Sequence, residues 1–277
     1  MDRAKLSLNQ YTVRPWSLEA AVAACVKRGI PSMAVWRDKI AEIGLPRAAA
    51  LLKNAGLRAS SICRGGFFPD PSAAERALRI DDTRRAIDEA VAVGAPAVVL
   101  VCGPAAGQPL DVARAQVEAG IAACAGDALA AGVRLAIEPL HPMMIAERSV
   151  ITTLGEANDV CDRLASPAVG IVCDVYHVFW DVRVHAELAR AGARIAGFHL
   201  SDWTTPRGGD VTASRAMLGD GCIDIAGLAR DVAGAGYAGD IEIEILNETA
   251  WTGDLNAWLD TAIERYTAIP APSPRAS

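Results

Sequence analysis

Short apolar runs recur eight times along the chain and read as strands: AKLSLNQ (4–10), SMAVW (32–36), LRASSIC (57–63), AVVLVCG (97–103), RLAIEPL (134–140), VGIVCD (169–174), RIAGFHL (194–200) and DIEIEIL (240–246). Between them apolar positions return at helical spacing, as in 17–29, 81–94, 112–132 and 154–166, and several of these stretches end in Gly just before the next run. Eight strand-then-helix units, with no proline-rich linker and no shift of composition, predict a single-domain α/β protein, a (β/α)8 TIM barrel over 1–268. An open doubly wound sheet is the structural alternative. It normally has fewer strands, and no Gly-rich phosphate fingerprint follows the first strand here. Residues 269–277 carry Pro, Ser and Ala without periodicity and read as a flexible C-terminal tail. The longest connection, from Ser201 to Asp224, is expected to act as a lid or binding loop.

Composition narrows the class. The chain has 277 residues, 52% hydrophobic and 22% charged, as in an ordinary enzyme with one large core. Its net charge of −6 offers no basic face, which argues against nucleic acid as a partner. Seven cysteines, an odd set without a CxxC pair, argue against a disulfide framework and a zinc knuckle, and read as small buried hydrophobes in a reducing compartment. Met1 leads into a strand-like run and not a signal core, and no apolar stretch is long enough to span a membrane, so a cytoplasmic location is expected.

Four ionisable residues break the pattern of buried strands. Glu138, Asp174, His199 and Glu244 sit at the carboxyl ends of LAIEPL, VGIVCD, IAGFHL and IEIEIL. A parallel strand buried on both faces should stay apolar, so an acid or imidazole at its end is out of place as packing but well placed for catalysis at a barrel mouth. Singly, each reads as readily as a salt-bridge partner. Together they lie on strands five to eight, whose ends converge on one rim. Three carboxylates and one imidazole suit a divalent ion such as Mn²⁺, Co²⁺, Mg²⁺ or Zn²⁺.

On these residues the sequence resembles the xylose isomerase-like barrel superfamily of sugar phosphate isomerases and epimerases, from about Lys5 to Tyr266. Glu138 with Pro139 matches the family's E-P strand end, Asp174 with His177 a D-x-x-H segment, His199 with Asp202 an H-x-x-D segment, and Glu244 the final strand glutamate. GDGCID followed by GYAGDIEIEI resembles the usual lead into that last strand. The resemblance implies one divalent metal on Glu138, Asp174, His199 and Glu244, with Glu138 and Glu244 also serving as catalytic acid and base on opposite faces of a small carbohydrate. It leaves room for a homo-oligomer. For His177 it implies a hydrogen bond to a substrate oxygen; the plainer reading is a loop histidine bonded to backbone.

Further substrate-binding candidates come from the loops. Six Trp exceed the four Phe or four Tyr, and Trp16, Trp36, Trp180, Trp203 and Trp251 fall at or just after strands, where flat rings suit stacking on a sugar. Of these, Trp36, Trp180 and Trp203 are taken as substrate contacts, with some of the five expected merely to pack. His141 and Arg207 join them, the arginine suited to a hydroxyl, carboxylate or phosphate. Glu242 shares strand parity with Glu244 and should point inward one layer deeper, paired with a cation such as Lys5 or Arg194. Asp181 and Asp202 are read as ligand-orienting or helix-capping, and His185 as a surface residue.

The function expected is a metal-dependent isomerase or epimerase of a ketose, inosose or related keto-polyol, acting by proton abstraction beside the carbonyl. The alternative is a lyase or dehydratase that begins with the same proton removal on a 3-keto sugar, keto-glycoside or dehydroshikimate-like substrate. An endonuclease needs more histidines than the four present. A non-catalytic sugar-binding subunit would be marked by loss of a ligand, and all four ligand candidates are in place.

Overall fold

The computed structural model describes residues 1–206 and 208–271. Eight parallel strands close into a barrel in sequence order: β1 (Leu6–Asn9), β2 (Ser32–Trp36), β3 (Arg58–Gly66), β4 (Ala97–Val101), β5 (Arg134–Ile137), β6 (Val169–Asp174), β7 (Ile195–Leu200) and β8 (Ile241–Ile243), with β8 pairing back onto β1. The expected fold is therefore the observed one. Each predicted run holds a strand, although β1 is trimmed at both ends by 3-10 turns and β3 continues past Cys63 to Gly66.

Helices wrap the barrel: α1 (Leu18–Arg28), α2 (Arg37–Ile43), α3 (Leu45–Ala55), α4 (Ala73–Val93), α5 (Leu110–Ala131), α6 (Leu154–Leu164), a single turn α7 (Val175–Val178), α8 (Val184–Ala191), α9 (Ile225–Gly234), a single turn α10 (Glu248–Trp251) and α11 (Leu255–Ala268). Local chemistry sets their ends. At α6 the Thr153 hydroxyl accepts from the Glu156 N–H while the Glu156 carboxylate accepts from the Thr153 N–H, a reciprocal cap. Helix α5 stops at Gly132, whose φ of 67° is left-handed, where its N–H returns to the last carbonyls. Among the described residues no helix is long and apolar enough to cross a membrane.

Apolar side chains form one large core between sheet and helices, and a smaller one inside the barrel from Cys63, Ala97, Val99, Ala136 and Val172. The opposite side of the interior is polar. Ser7, Asn9 and Glu242 are buried there on β1 and β8, and Ser7 Oγ lies 2.8 Å from Ser60 Oγ of β3. Small apolar residues on one side and polar residues on the other leave a cavity inside the barrel, lined by Ser60, Ala97, Val99, Val172 and Glu242.

The long connection after β7 is folded around one carboxylate. Asp202 accepts the backbone N–H groups of Trp203, Gly219, Gly221 and Ile223 at 2.8–3.1 Å, so it organises this loop and not a metal ligand. Gly221 is required by close approach, since a Cβ there would meet Asp202 Oδ1 at 2.2 Å. Asp181 accepts from the Arg183 N–H in the turn before α8, and exposed His185 lies against Asp231. The expected tail begins just after α11; its residues 272–277 lie outside the described residues, as does Arg207.

Candidate metal centre and active site

Glu138 follows β5 directly, Asp174 ends β6, His199 is the penultimate residue of β7, and Glu244 follows β8 directly. Strand register brings them together: Asp174 lies opposite His199, and the Glu244 N–H donates to Leu200 O. All four are buried, and one ligating atom from each lies within 4.8 Å of the others. His199 Nδ1 faces the acids, 2.9 Å from Glu244 Oε2 and 3.5 Å from Glu138 Oε1. Glu138 Oε1 is buried without a hydrogen bond, so an acceptor points into the cluster unsatisfied. These donors, this spacing and the orphaned oxygen fit a divalent cation.

Electrostatics separate the two glutamates. Burial pushes Glu138 up to about 7, with Glu244 adding repulsion and His199 opposing. Burial likewise raises Asp174 to about 6 against the pull of Arg215. For Glu244 the burial penalty is outweighed by Arg215 and His199, which hold it below the usual carboxylate range. For His199 burial works against the charged ring, but Glu242, Glu138 and Glu244 together raise it well above its ordinary value.

Arg215 is the residue that sequence reading missed. It is 4% exposed, and its Nη1 donates to Asp174 Oδ2 at 2.6 Å and lies 3.4 Å from Glu244 Oε2, while Nη2 lies 3.1 Å from His177 Nε2. Its backbone is pinned to the segment after β8: the Arg215 N–H donates to Leu246 O, and Asn247 Nδ2 donates to Arg215 O. The available signal was its neighbours, Ala216, Met217 and Leu218, which make this an arginine in an apolar part of the loop; Arg207 is followed by Gly208, Gly209 and Asp210.

Glu242 points inward as its parity requires, but it pairs with neither Lys5 nor Arg194. Arg194 instead holds Asp162. Glu242 Oε1 accepts from Asn9 Nδ2 at 2.7 Å, and Oε2 accepts from Ser60 Oγ at 3.2 Å and lies 3.7 Å from His199 Nε2. Barrel closure causes this, because β8 lies between β7 and β1 and its register sets Glu242 opposite His199 and Ser7. Asn9 also accepts from the Trp36 indole N–H at 2.9 Å, tying the cavity wall to Glu242.

The cavity above the cluster is lined by Trp36, Arg64, Arg148, His177, Arg215 and Leu246, together with Glu138, His199 and Glu244. Its free volume of about 60 Å³ holds a few waters. Trp36 stacks on Tyr11 with ring centres 3.5 Å apart. His177 is buried: the His141 N–H donates to its Nδ1, and burial with the nearby Arg215 charge drives its pKa well below the ordinary value, keeping the ring neutral. His141, Trp180 and Trp203 lie outside the cavity wall, in an aromatic group where His141 stacks on Trp203 at 4.8 Å and meets the edge of Trp180 at 5.7 Å. Trp251 packs instead near β1, its indole N–H donating to Tyr11 O.

A closed parallel barrel with a buried three-carboxylate, one-histidine centre at the C-terminal ends of strands five to eight is the architecture of a barrel enzyme with a metal-type site. The chain belongs to the xylose isomerase-like TIM barrel family, whose sequence profile it matches over residues 22–267. It is 43% identical to protein SMc04130 of Sinorhizobium meliloti 1021, with a TM-score of 0.94 over 98% of this chain and 100% of the other. The IOLI protein with a bound zinc atom superposes with a TM-score of 0.83 at 16% identity over 96% of this chain and 97% of that one. D-psicose 3-epimerase with D-tagatose, from Clostridium cellulolyticum H10, gives 0.78 at 12% identity over 96% and 99%. At such identities these last two establish the shared fold alone. A search of curated proteins returned no match.

Proposed function

We propose that the protein is a divalent-metal-dependent isomerase or epimerase of a keto sugar, inosose or related keto-polyol, working by proton transfer beside the carbonyl. The observation that carries this reading is the convergence of Glu138, Asp174, His199 and Glu244 in one buried cluster that opens into a cavity. A bound divalent cation would polarise the carbonyl and stabilise an enediolate. The IOLI and D-psicose 3-epimerase structures, with a zinc atom and a ketose in their descriptions, support the same direction.

The chain's own residues divide the proton work. Glu138 and Glu244 end different strands beside the same cavity, which suits one to take the proton beside the carbonyl and the other to hold and return one. The C–H electron pair moves into the new C=C bond and the carbonyl oxygen gains the charge. A proton returned to the same carbon from the opposite face gives the epimer; when the neighbouring hydroxyl's proton passes to the former carbonyl oxygen, a proton returned to the former carbonyl carbon gives the isomer. His177 and Arg215, both facing the cavity, are positioned to hold substrate oxygens. The test is NMR of deuterium uptake from D₂O into a panel of keto sugars and inososes. Exchange without elimination supports the proposal; an unsaturated product or a released substituent would replace it with the lyase reading, and no exchange in any substrate would overturn both.

Glu242 serves this centre through His199. A carboxylate facing the far nitrogen of a ligating imidazole fixes ring orientation, and such partners matter about 10–100-fold in metal affinity. Glu242→Gln is therefore expected to weaken metal binding by about that factor while leaving the fold intact. Chelator competition followed by circular dichroism checks both parts; unchanged affinity would remove Glu242 from the centre.

A further inference from the structure

Two more guanidinium groups, Arg64 at the end of β3 and Arg148 on the segment between β5 and α6, line the same cavity as the cluster. Neither has a carboxylate partner within ion-pair distance among the described residues, although both are partly buried. Arg37 shows the ordinary arrangement at similar exposure, holding Asp82 at 2.8 Å and Glu89 at 2.6 Å. The Arg64 guanidinium lies over the Phe67 ring, 4.0 Å from its centre, which fixes its plane without neutralising it. Burial lowers the Arg64 pKa, and the Arg148 charge lowers it further, so the two cations repel across shared space. Arg215 offers no relief, being engaged with Asp174 and Glu244.

Like charges left unpaired at a cavity wall are unfavourable unless an anion joins them. The cluster supplies a second pole on the same cavity, rich in carboxylates, where an anionic group is unwelcome without a cation. We propose that the ligand of this cavity is an anion, held with its carboxylate or phosphate group between Arg64 and Arg148 and its keto group toward Glu138 and Glu244. The orientation of the ligand rests on the proton-transfer reading above; the anion site itself does not.

The test uses the metal-loaded full chain in wild-type form and as Arg64→Gln, Arg148→Gln and the double variant, with Arg64→Lys and Arg148→Lys retaining charge without the planar fork. Deuterium exchange is compared for a neutral keto sugar, its phosphate ester and its carboxylate counterpart, and inorganic phosphate and acetate are titrated by calorimetry. The wild type should favour at least one anionic substrate over the neutral one in kcat/KM by tenfold or more. That preference should fall stepwise toward unity from single to double variant, with the lysine variants between. Preference for ester or for carboxylate identifies which anion the site takes. Equal use of neutral and charged substrates by the wild type, or a preference that persists in the double variant, would overturn the proposal. If no substrate exchanges, the proton-transfer reading fails separately: loss of phosphate or acetate binding in the double variant at unchanged metal content still supports the anion site, and unaltered or absent binding refutes it.

Discussion

Glu138→Gln is expected to lower the rate of hydrogen exchange into a keto substrate by about 10²–10⁴-fold, the usual contribution of a positioned acid or base. The amide matches the carboxylate in shape but cannot carry a proton through the cycle. The same change should leave the metal-free protein as stable as before, or more so. Glu138 has a folded pKa of about 7, raised by burial above its ordinary value of 4.5. A raised carboxyl costs the folded state stability as pH climbs above the unfolded value, because the unfolded chain ionises freely and the folded one does not. An uncharged amide removes that cost. Activity and stability thus move in opposite directions, as at sites where function is built from unfavourable burial. Denaturant unfolding at neutral pH in the presence of chelator, beside the exchange assay, reads both. A variant that is strongly destabilised yet fully active would show that Glu138 serves structure alone.

Arg215→Met is the second large effect. The guanidinium lies 2.6 Å from Asp174 Oδ2 and 3.4 Å from Glu244 Oε2, both carboxylates being buried. Removing one partner of a buried pair leaves uncompensated charge and typically costs about 3–5 kcal/mol. If a divalent ion shares the same carboxylates, excess metal should restore much of that loss, since a ligand that binds only the folded state stabilises it by mass action. The expected pattern is a strongly lowered unfolding midpoint with chelator and a much smaller deficit with saturating Mn²⁺. An equal deficit under both conditions would mean that arginine and metal do not act on the same carboxylates. Exchange activity should also fall, because the same side chain faces the cavity beside His177.

How much of this was legible in the sequence depends on what sets each feature. Strands buried on both faces announce themselves as continuous apolar runs, so all eight were readable, and an ionisable residue closing such a run was readable for the same reason. Helix limits were less so. The Arg-rich stretch before residue 81 obscured the start of α4 at Ala73, although Ser72 caps it there by accepting from the Glu75 N–H. The site's arginines were not legible. Arg215 is placed by Asn247 and by the loop that Asp202 gathers, and Arg64 and Arg148 line one cavity only because β3 and the segment after β5 fold to the same end of the barrel; none of these placements has a sequence period. Glu242 illustrates the boundary. Strand parity gave its direction, but its partners Asn9, Ser60 and His199 come from strands that only closure and register bring beside it. Position after a strand marked the tryptophans as candidates, some of them expected only to pack; of the three taken as substrate contacts Trp36 lines the cavity, while Trp180 and Trp203 pack with His141.

The account stands on Glu138, Asp174, His199 and Glu244 binding a single divalent ion. Elemental analysis of the wild type and of Glu244→Gln, purified in parallel and dialysed after exposure to Mn²⁺, Co²⁺, Mg²⁺ and Zn²⁺, tests it most directly. One metal per chain in the wild type, sharply reduced in the variant, is the predicted result. No retained metal in the wild type, or equal content in both proteins, would contradict it.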